Sequence, residues 1–169
     1  MSADEMVMLK SEADFQSLIT NHQSLRIHGY ASLWNTADLN GDVVARGAFA
    51  ESLARSGAGG VKMLHQHEGR SLVGVWDEMV EDERGLFVAG RVMDWSPEAR
   101  FAGALARAGA LDGLSIGFRA VRARKDGRLR VLSEVELWEV SLVTFPMLPG
   151  ARFGVLPCGQ YEKEANKNG

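Results

Sequence analysis

Hydrophobic and polar positions alternate with a period of two over much of this chain, which predicts strands. From Leu25 to Trp34, Leu25, Ile27, Gly29, Ala31 and Leu33 alternate with Arg26, His28, Tyr30 and Ser32. Val61 to His67 reads as a strand with Val61, Met63, His65 and His67 on one face. Leu72 to Val80 and Gly85 to Val92 form a pair around the acidic loop Glu81-Asp82-Glu83-Arg84. Leu114 to Arg122 is a further strand, with Ser115, Gly117 and Arg119 opposite Ile116, Phe118 and Ala120. Lys125-Asp126-Gly127-Arg128 is a hairpin turn, Leu129 to Val135 returns from it, and Leu137 to Phe145 is a long apolar strand.

Two segments carry the helical period instead. Gly47 to Ser56 places Phe49 and Leu53 four apart, and Gly57-Ala58-Gly59-Gly60 ends it. Ser96-Pro97-Glu98 is a helix start with a capping hydroxyl, proline at the first helical position and an acid in the first turn. Phe101, Leu105 and Ala108 give that helix its expected buried stripe, and Gly109 its stop. Residues 1–22 read either as a loosely attached N-terminal arm or as carrying a short helix at Ser11 to Ile19. One domain is expected over 23–156, with a flexible polar tail over 157–169. Short turns between strands predict a mainly β fold with flanking helices: an antiparallel, partly open barrel of about seven strands.

Composition narrows the function without naming it. A formal net charge of -3 gives no electrostatic reason to expect nucleic-acid binding. No apolar run approaches the roughly 18 residues that span a membrane, and the start Met-Ser-Ala-Asp-Glu has no secretory pattern. The single cysteine, Cys158, excludes an internal disulfide and fits a reducing compartment.

The candidate chemistry centres on Gly113-Leu114-Ser115-Ile116-Gly117. The flanking glycines remove bulk beside a serine hydroxyl, where a peptide can approach. The pattern also matches G-x-S-x-G, yet a nucleophile elbow needs a strand before the serine and a helix after it. Here the order is reversed. All four histidines, 22, 28, 65 and 67, precede Ser115, so an α/β-hydrolase order of serine, acid, histidine is excluded. The base must come from upstream, from His65 or His67. A metal clip at His65-Gln66-His67 lacks a third ligand, because Glu68 points the other way on a strand. Asp38-Leu39-Asn40-Gly41-Asp42 fails as a calcium loop, since Phe49 stands where the bidentate acid belongs, and reads as a polar turn. Glu139, set among Trp138, Val140, Leu142 and Val143, is either an edge-strand carboxylate facing water or the partner of an imidazole N–H. Glu134 and Glu136 look solvated. No cofactor is called for.

Several segments in order resemble the prohead proteases of HK97-type tailed phages, a family that shares a fold with herpesvirus assemblins. They are Gly29-Tyr30-Ala31-Ser32, Gly41-Asp42 with Gly47-Ala48-Phe49, Met63-Leu64 with Gln66-His67-Glu68, and Val73-Gly74-Val75-Trp76. Gly85-Leu86, Leu114-Ser115-Ile116-Gly117-Phe118 and Glu139-Val140-Ser141-Leu142-Val143 complete the set, which runs from Gly29 to Phe153. The resemblance implies Ser115 as nucleophile, His67 rather than His65 as general base, and Glu139 as the group that orients His67. Assemblins take oxyanion donors from an arginine-rich loop. The matching segment, Pro146 to Arg152, holds one arginine, which leaves backbone N–H groups near Leu148 and Arg152 as candidates. The implied activity is serine endopeptidase cleavage of major capsid protein and scaffold segments, and of the protease itself, inside an immature procapsid in the host cytoplasm. A homodimer, as in assemblins, is among the implied partners. The rival reading is a non-catalytic capsid-assembly or scaffolding protein with the same fold.

Overall fold

The computed structural model describes residues 24–157; the expected helix at Ser11–Ile19, Cys158 and nearly all of the polar tail lie outside them. Among the described residues the strands are β1 (Leu25–Leu33), β2 (Asp42–Val44), β3 (Lys62–His65), β4 (Leu72–Glu81), β5 (Gly85–Val92), β6 (Gly113–Asp126), β7 (Leu129–Val143) and β8 (Phe153–Val155). The helices are α1 (Ala50–Ser56) and α2 (Pro97–Arg107), with a 3-10 turn at Ala58–Gly60. The eight strands form one sheet in the order β2-β7-β3-β4-β5-β1-β8, with β6 on the other edge of β7. The sheet curls, and the chain before β8 returns to β6: Leu114 N–H donates to the Ala151 carbonyl and Phe153 N–H to that of Asp112, at 2.9 and 2.8 Å.

The sheet is mixed, which corrects the antiparallel expectation. Both β2 and β3 run parallel to β7, pairing with Arg130–Leu132 and Glu139–Leu142. They lie end to end along one edge of β7, and α1 crosses between them. In the gap, the ladder is completed by the crossover itself. Val135 N–H donates to the Ala48 carbonyl at 3.0 Å and Leu137 N–H to Ser52 Oγ at 2.9 Å. Buried backbone donors must be satisfied, so these bonds let β7 run unbroken from Leu129 to Val143 where two strands were expected. Helix α1 is correspondingly shorter than expected, since Gly47 has φ +89° and the segment up to Phe49 is a turn.

The core lies inside the curl and includes Ile27, Phe49, Met63, Val73, Trp76, Leu86, Val88, Leu114, Leu132, Val140 and Leu142. The α2 start matches its signature: Ser96 Oγ accepts from Ala99 N–H at 3.0 Å, with Pro97 opening the helix. Its buried face is the expected one at Leu105, which packs half-buried against the core, but not at Phe101 and Ala108, which are exposed. Ala99, Ala102, Gly103 and Ala106 are buried, whereas Phe101 is 59% exposed. Those four positions follow the i, i+3, i+4, i+7 rule. A stripe of small residues lets the helix axis approach the sheet more closely than a phenylalanine face allows. Glu134 and Glu136 are ion-paired rather than merely solvated, to Arg122 at 3.1 Å and Arg119 at 2.6 Å. The Asp38–Asp42 stretch is a tied polar turn: Asp38 Oδ1 accepts from the N–H groups of Asn40 and Asp42, while Asp42 binds Arg130 through both oxygens.

Candidate active site

Strand β7 is the platform of the site. Its neighbours on either side are β6, which carries Ser115, and β3, which leads to His67. In register, Ser141 stands opposite Ser115 and Glu139 opposite Gly117. Directly paired residues share a sheet face, and so do residues two apart on one strand. Ser115, Gly117, Glu139 and Ser141 therefore lie on the same face. A side chain at Gly117 has no room, since a Cβ there would sit 2.1 Å from Glu139 Oε1. That empty position is what lets the Glu139 carboxylate lie across the strand.

His67 does not share a strand face with His65, as the alternation suggested. Strand β3 ends at His65, and Gln66 and His67 both take left-handed backbone conformations, φ +54° and +60°. Such φ values are uncommon outside glycine and costly for two successive residues. The surrounding bonds hold them. Gln66 N–H donates to the Leu142 carbonyl at 3.0 Å, Gln66 Nε2 donates to Thr144 Oγ1 at 2.6 Å, and Thr144 N–H donates back to Gln66 Oε1 at 3.3 Å. His67 N–H donates to Ser141 Oγ at 3.2 Å. The two left-handed residues turn the chain back over β7 and bring the His67 ring onto the face that carries Glu139.

There His67 Nδ1 and Glu139 Oε1 are 2.5 Å apart. An ionised carboxylate only accepts, so the proton sits on Nδ1 and leaves Nε2 as the basic nitrogen of the neutral ring. The other oxygen, Glu139 Oε2, accepts from Ser141 O–H, also at 2.5 Å. The carboxylate is mostly shielded, 13% exposed, while the imidazole is 43% exposed. The bond to Glu139 raises the His67 pKa above the ordinary histidine value, burial opposes it, and the carboxylate charge adds to the rise. His65 is different. Its ring packs edge-on against Phe101 at 6.4 Å, its Nε2 is buried without a partner among the described residues, and burial lowers its pKa. The two histidines thus turn to different neighbours, and no group of three His, Cys, Asp or Glu among the described residues is placed to hold a metal.

Ser115 is 7% exposed and lines a pocket together with His67, Leu114, Ile116, Phe118 and Leu148. Thr36, Asp38, Asn40 and Asp42 supply the polar side of that pocket. The structure thus brings Ser115, His67 and Leu148 to one pocket, with Glu139 behind His67. It does not bring the Arg152 side chain there: its guanidinium is committed to Asp112 Oδ1 at 2.7 Å and to the Pro149 carbonyl at 3.0 Å. Ser141, fully buried, is the site residue that sequence reasoning missed. Its signal was present as a hydroxyl two residues from Glu139, hence on the same strand face.

Comparison with known proteins bears on the family and the fold. The family described as caudovirus prohead serine protease matches residues 11–163. The prohead protease of Enterobacteria phage HK97 is 36% identical over 124 residues, 70% of this chain and 54% of that protein. The chain therefore spans about half the length of this relative. Among solved structures, the bacteriophage T4 capsid assembly protease superposes with a TM-score of 0.56 at 14% identity, over 71% of this chain and 82% of that one. The KSHV protease, solved with a hexapeptide phosphonate inhibitor, gives 0.55 at 15% identity, over 80% and 66%. At such identities these two speak to the fold alone, a curled, mainly β sheet with few helices. The family match covers both strands that flank β7 and the turn that carries His67, and on it this chain belongs to the caudovirus prohead serine protease family.

Proposed function

We propose that this chain is a serine endopeptidase that cleaves capsid or scaffold segments during prohead maturation, with Ser115, His67 and Glu139 as its triad. The observation that carries the reading is the contact between the Glu139 carboxylate and His67 Nδ1, with His67 and Ser115 lining one pocket. His67 Nε2 takes the hydroxyl proton as Ser115 Oγ attacks the peptide carbonyl, and Glu139 stabilises the imidazolium. The proton then passes to the leaving amine, and water hydrolyses the acyl-enzyme by the same base. Leu148 lies in the pocket wall, and its backbone N–H is the proposed oxyanion donor; the Arg152 N–H is the second candidate of that loop. The substrates are major capsid protein and scaffold segments within the immature procapsid, in the host cytoplasm, with self-cleavage included.

Co-expression with the capsid protein, read by intact mass, tests this. Wild type should release a defined capsid or scaffold fragment, and Ser115→Ala should release none. Removing one triad member costs several orders of magnitude in turnover. Identical masses in both, with capsids assembled, would favour a non-catalytic assembly protein.

A further inference from the structure

We propose that Ser141 is a positioning residue of this site, a fourth member that holds Glu139 and His67 together; the inference rests on the protease reading above. The Ser141 side chain is completely buried, yet it is polar and sits in the apolar run Val140–Val143. A buried hydroxyl is retained at a cost unless it is bonded. Here both of its capacities are used, and both on the triad. Its O–H donates to Glu139 Oε2, and its oxygen accepts the backbone N–H of His67.

The two bonds do different things. The first fixes the carboxylate about its terminal torsion, which is otherwise soft and roughly two-fold. With Oε2 held, Oε1 is aimed at His67 Nδ1. The second satisfies a backbone N–H in the left-handed segment that turns His67 out of β3. Ser141 thereby ties the position of the histidine to that of the carboxylate through one atom. Its place in the sheet explains why it can. Ser141 is paired with Ser115 on β6 and with Leu64 on β3, so it stands where the nucleophile strand, the platform strand and the histidine strand meet. A displaced hydroxyl at this point disturbs the acid and the base together.

A residue that only fills the core predicts something else: lost stability with unaltered chemistry. Ser141→Ala should lower kcat about tenfold or more, the scale of a hydrogen bond to a charged group, with KM within about twofold. The far-downfield proton resonance expected of His67 Nδ1–H should weaken or move. Ser141→Thr, which keeps the hydroxyl, should restore both kcat and the resonance. Wild-type kcat and an unmoved resonance in a folded Ser141→Ala would overturn the proposal, as would a folded Ser141→Thr no better than the alanine variant. Should the alanine variant fail to fold, Ser141→Cys keeps a weak donor of similar shape; intermediate kcat is expected, and full activity would overturn it. The resonance is independent of turnover. If wild type cleaves nothing, the protease reading fails, while the effect of Ser141 on the His67 proton is still decided.

Discussion

Gly117 offers a severe test of the site, because its effect can be worked from distances. The glycine faces Glu139 across the β6–β7 pair, and a Cβ built on it would meet Glu139 Oε1 at 2.1 Å, Cδ at 2.6 Å and Cγ at 2.7 Å. Its φ lies outside the left-handed region, so alanine is not strained by backbone. The penalty is steric and falls on one side chain. To move from 2.1 Å to an ordinary contact of 3.4 Å, the carboxylate must retreat by about 1.3 Å. The bond to His67 Nδ1 starts at 2.5 Å, and a stretch of that size takes it beyond hydrogen-bond range. A misplacement of about 1 Å at a reacting centre can cost on the order of a hundredfold in rate. Gly117→Ala should therefore reduce kcat by about that factor, with a modest overpacking loss of about 1–3 kcal/mol. The assay is cleavage of a capsid-protein segment under saturating substrate, beside thermal unfolding of the same preparation. Shortening the acid should relieve the clash, so Gly117→Ala with Glu139→Asp should recover part of kcat. A folded Gly117→Ala with wild-type kcat would refute the idea that Glu139 works from this position.

Three other perturbations address charge and packing. Because the Glu139 bond is the main cause of the raised His67 pKa, the acidic limb of kcat/KM should lie above the ordinary histidine range and move to lower pH in Glu139→Gln; an unmoved limb would remove Glu139 from the pair. Stability carries the matching sign: the raised folded pKa stabilises fully below the unfolded value of about 6.5 and the gain is lost as pH rises through the folded pKa. The denaturation midpoint of wild type relative to His67→Gln should thus be highest near pH 5–6 and decline above that window, with the size limited by the exposed ring. Gly103 faces the core from α2, yet an added Cβ meets only Val92 Cγ1 at an ordinary 3.7 Å. Gly103→Ala should raise stability by about 0.5–1 kcal/mol in denaturant melts and leave cleavage unchanged.

Local signals carried much of the fold. The α2 start was readable because three adjacent residues each satisfy a separate demand of a helix N-terminus, and the β4–β5 hairpin because alternation is local. The rest depended on partners far along the chain. Strands β2 and β3 join β7 in parallel because the α1 crossover returns both to one edge of it, and Ala48 and Ser52 fill the interval. No short window encodes that. The exposed Phe101 misled for a related reason, since alanines and a glycine read as weak hydrophobes although close approach favours them at a tight interface.

His67 marks the limit most sharply. Its residue type and its neighbour Glu68 made it a candidate, but period-two reading placed it beside His65 and facing the same way. The departure arises from two successive non-glycine residues in left-handed conformation, which is uncommon outside glycine. What stabilises them is supplied from β7 and the residue after it: the Leu142 carbonyl, Thr144 and the Ser141 hydroxyl. Strained backbone persists only where its surroundings over-determine it. The same strand that presents Glu139 thus also enforces the turn that brings His67 to it, so the carboxylate and the imidazole are placed by one element rather than by two that must be brought into agreement.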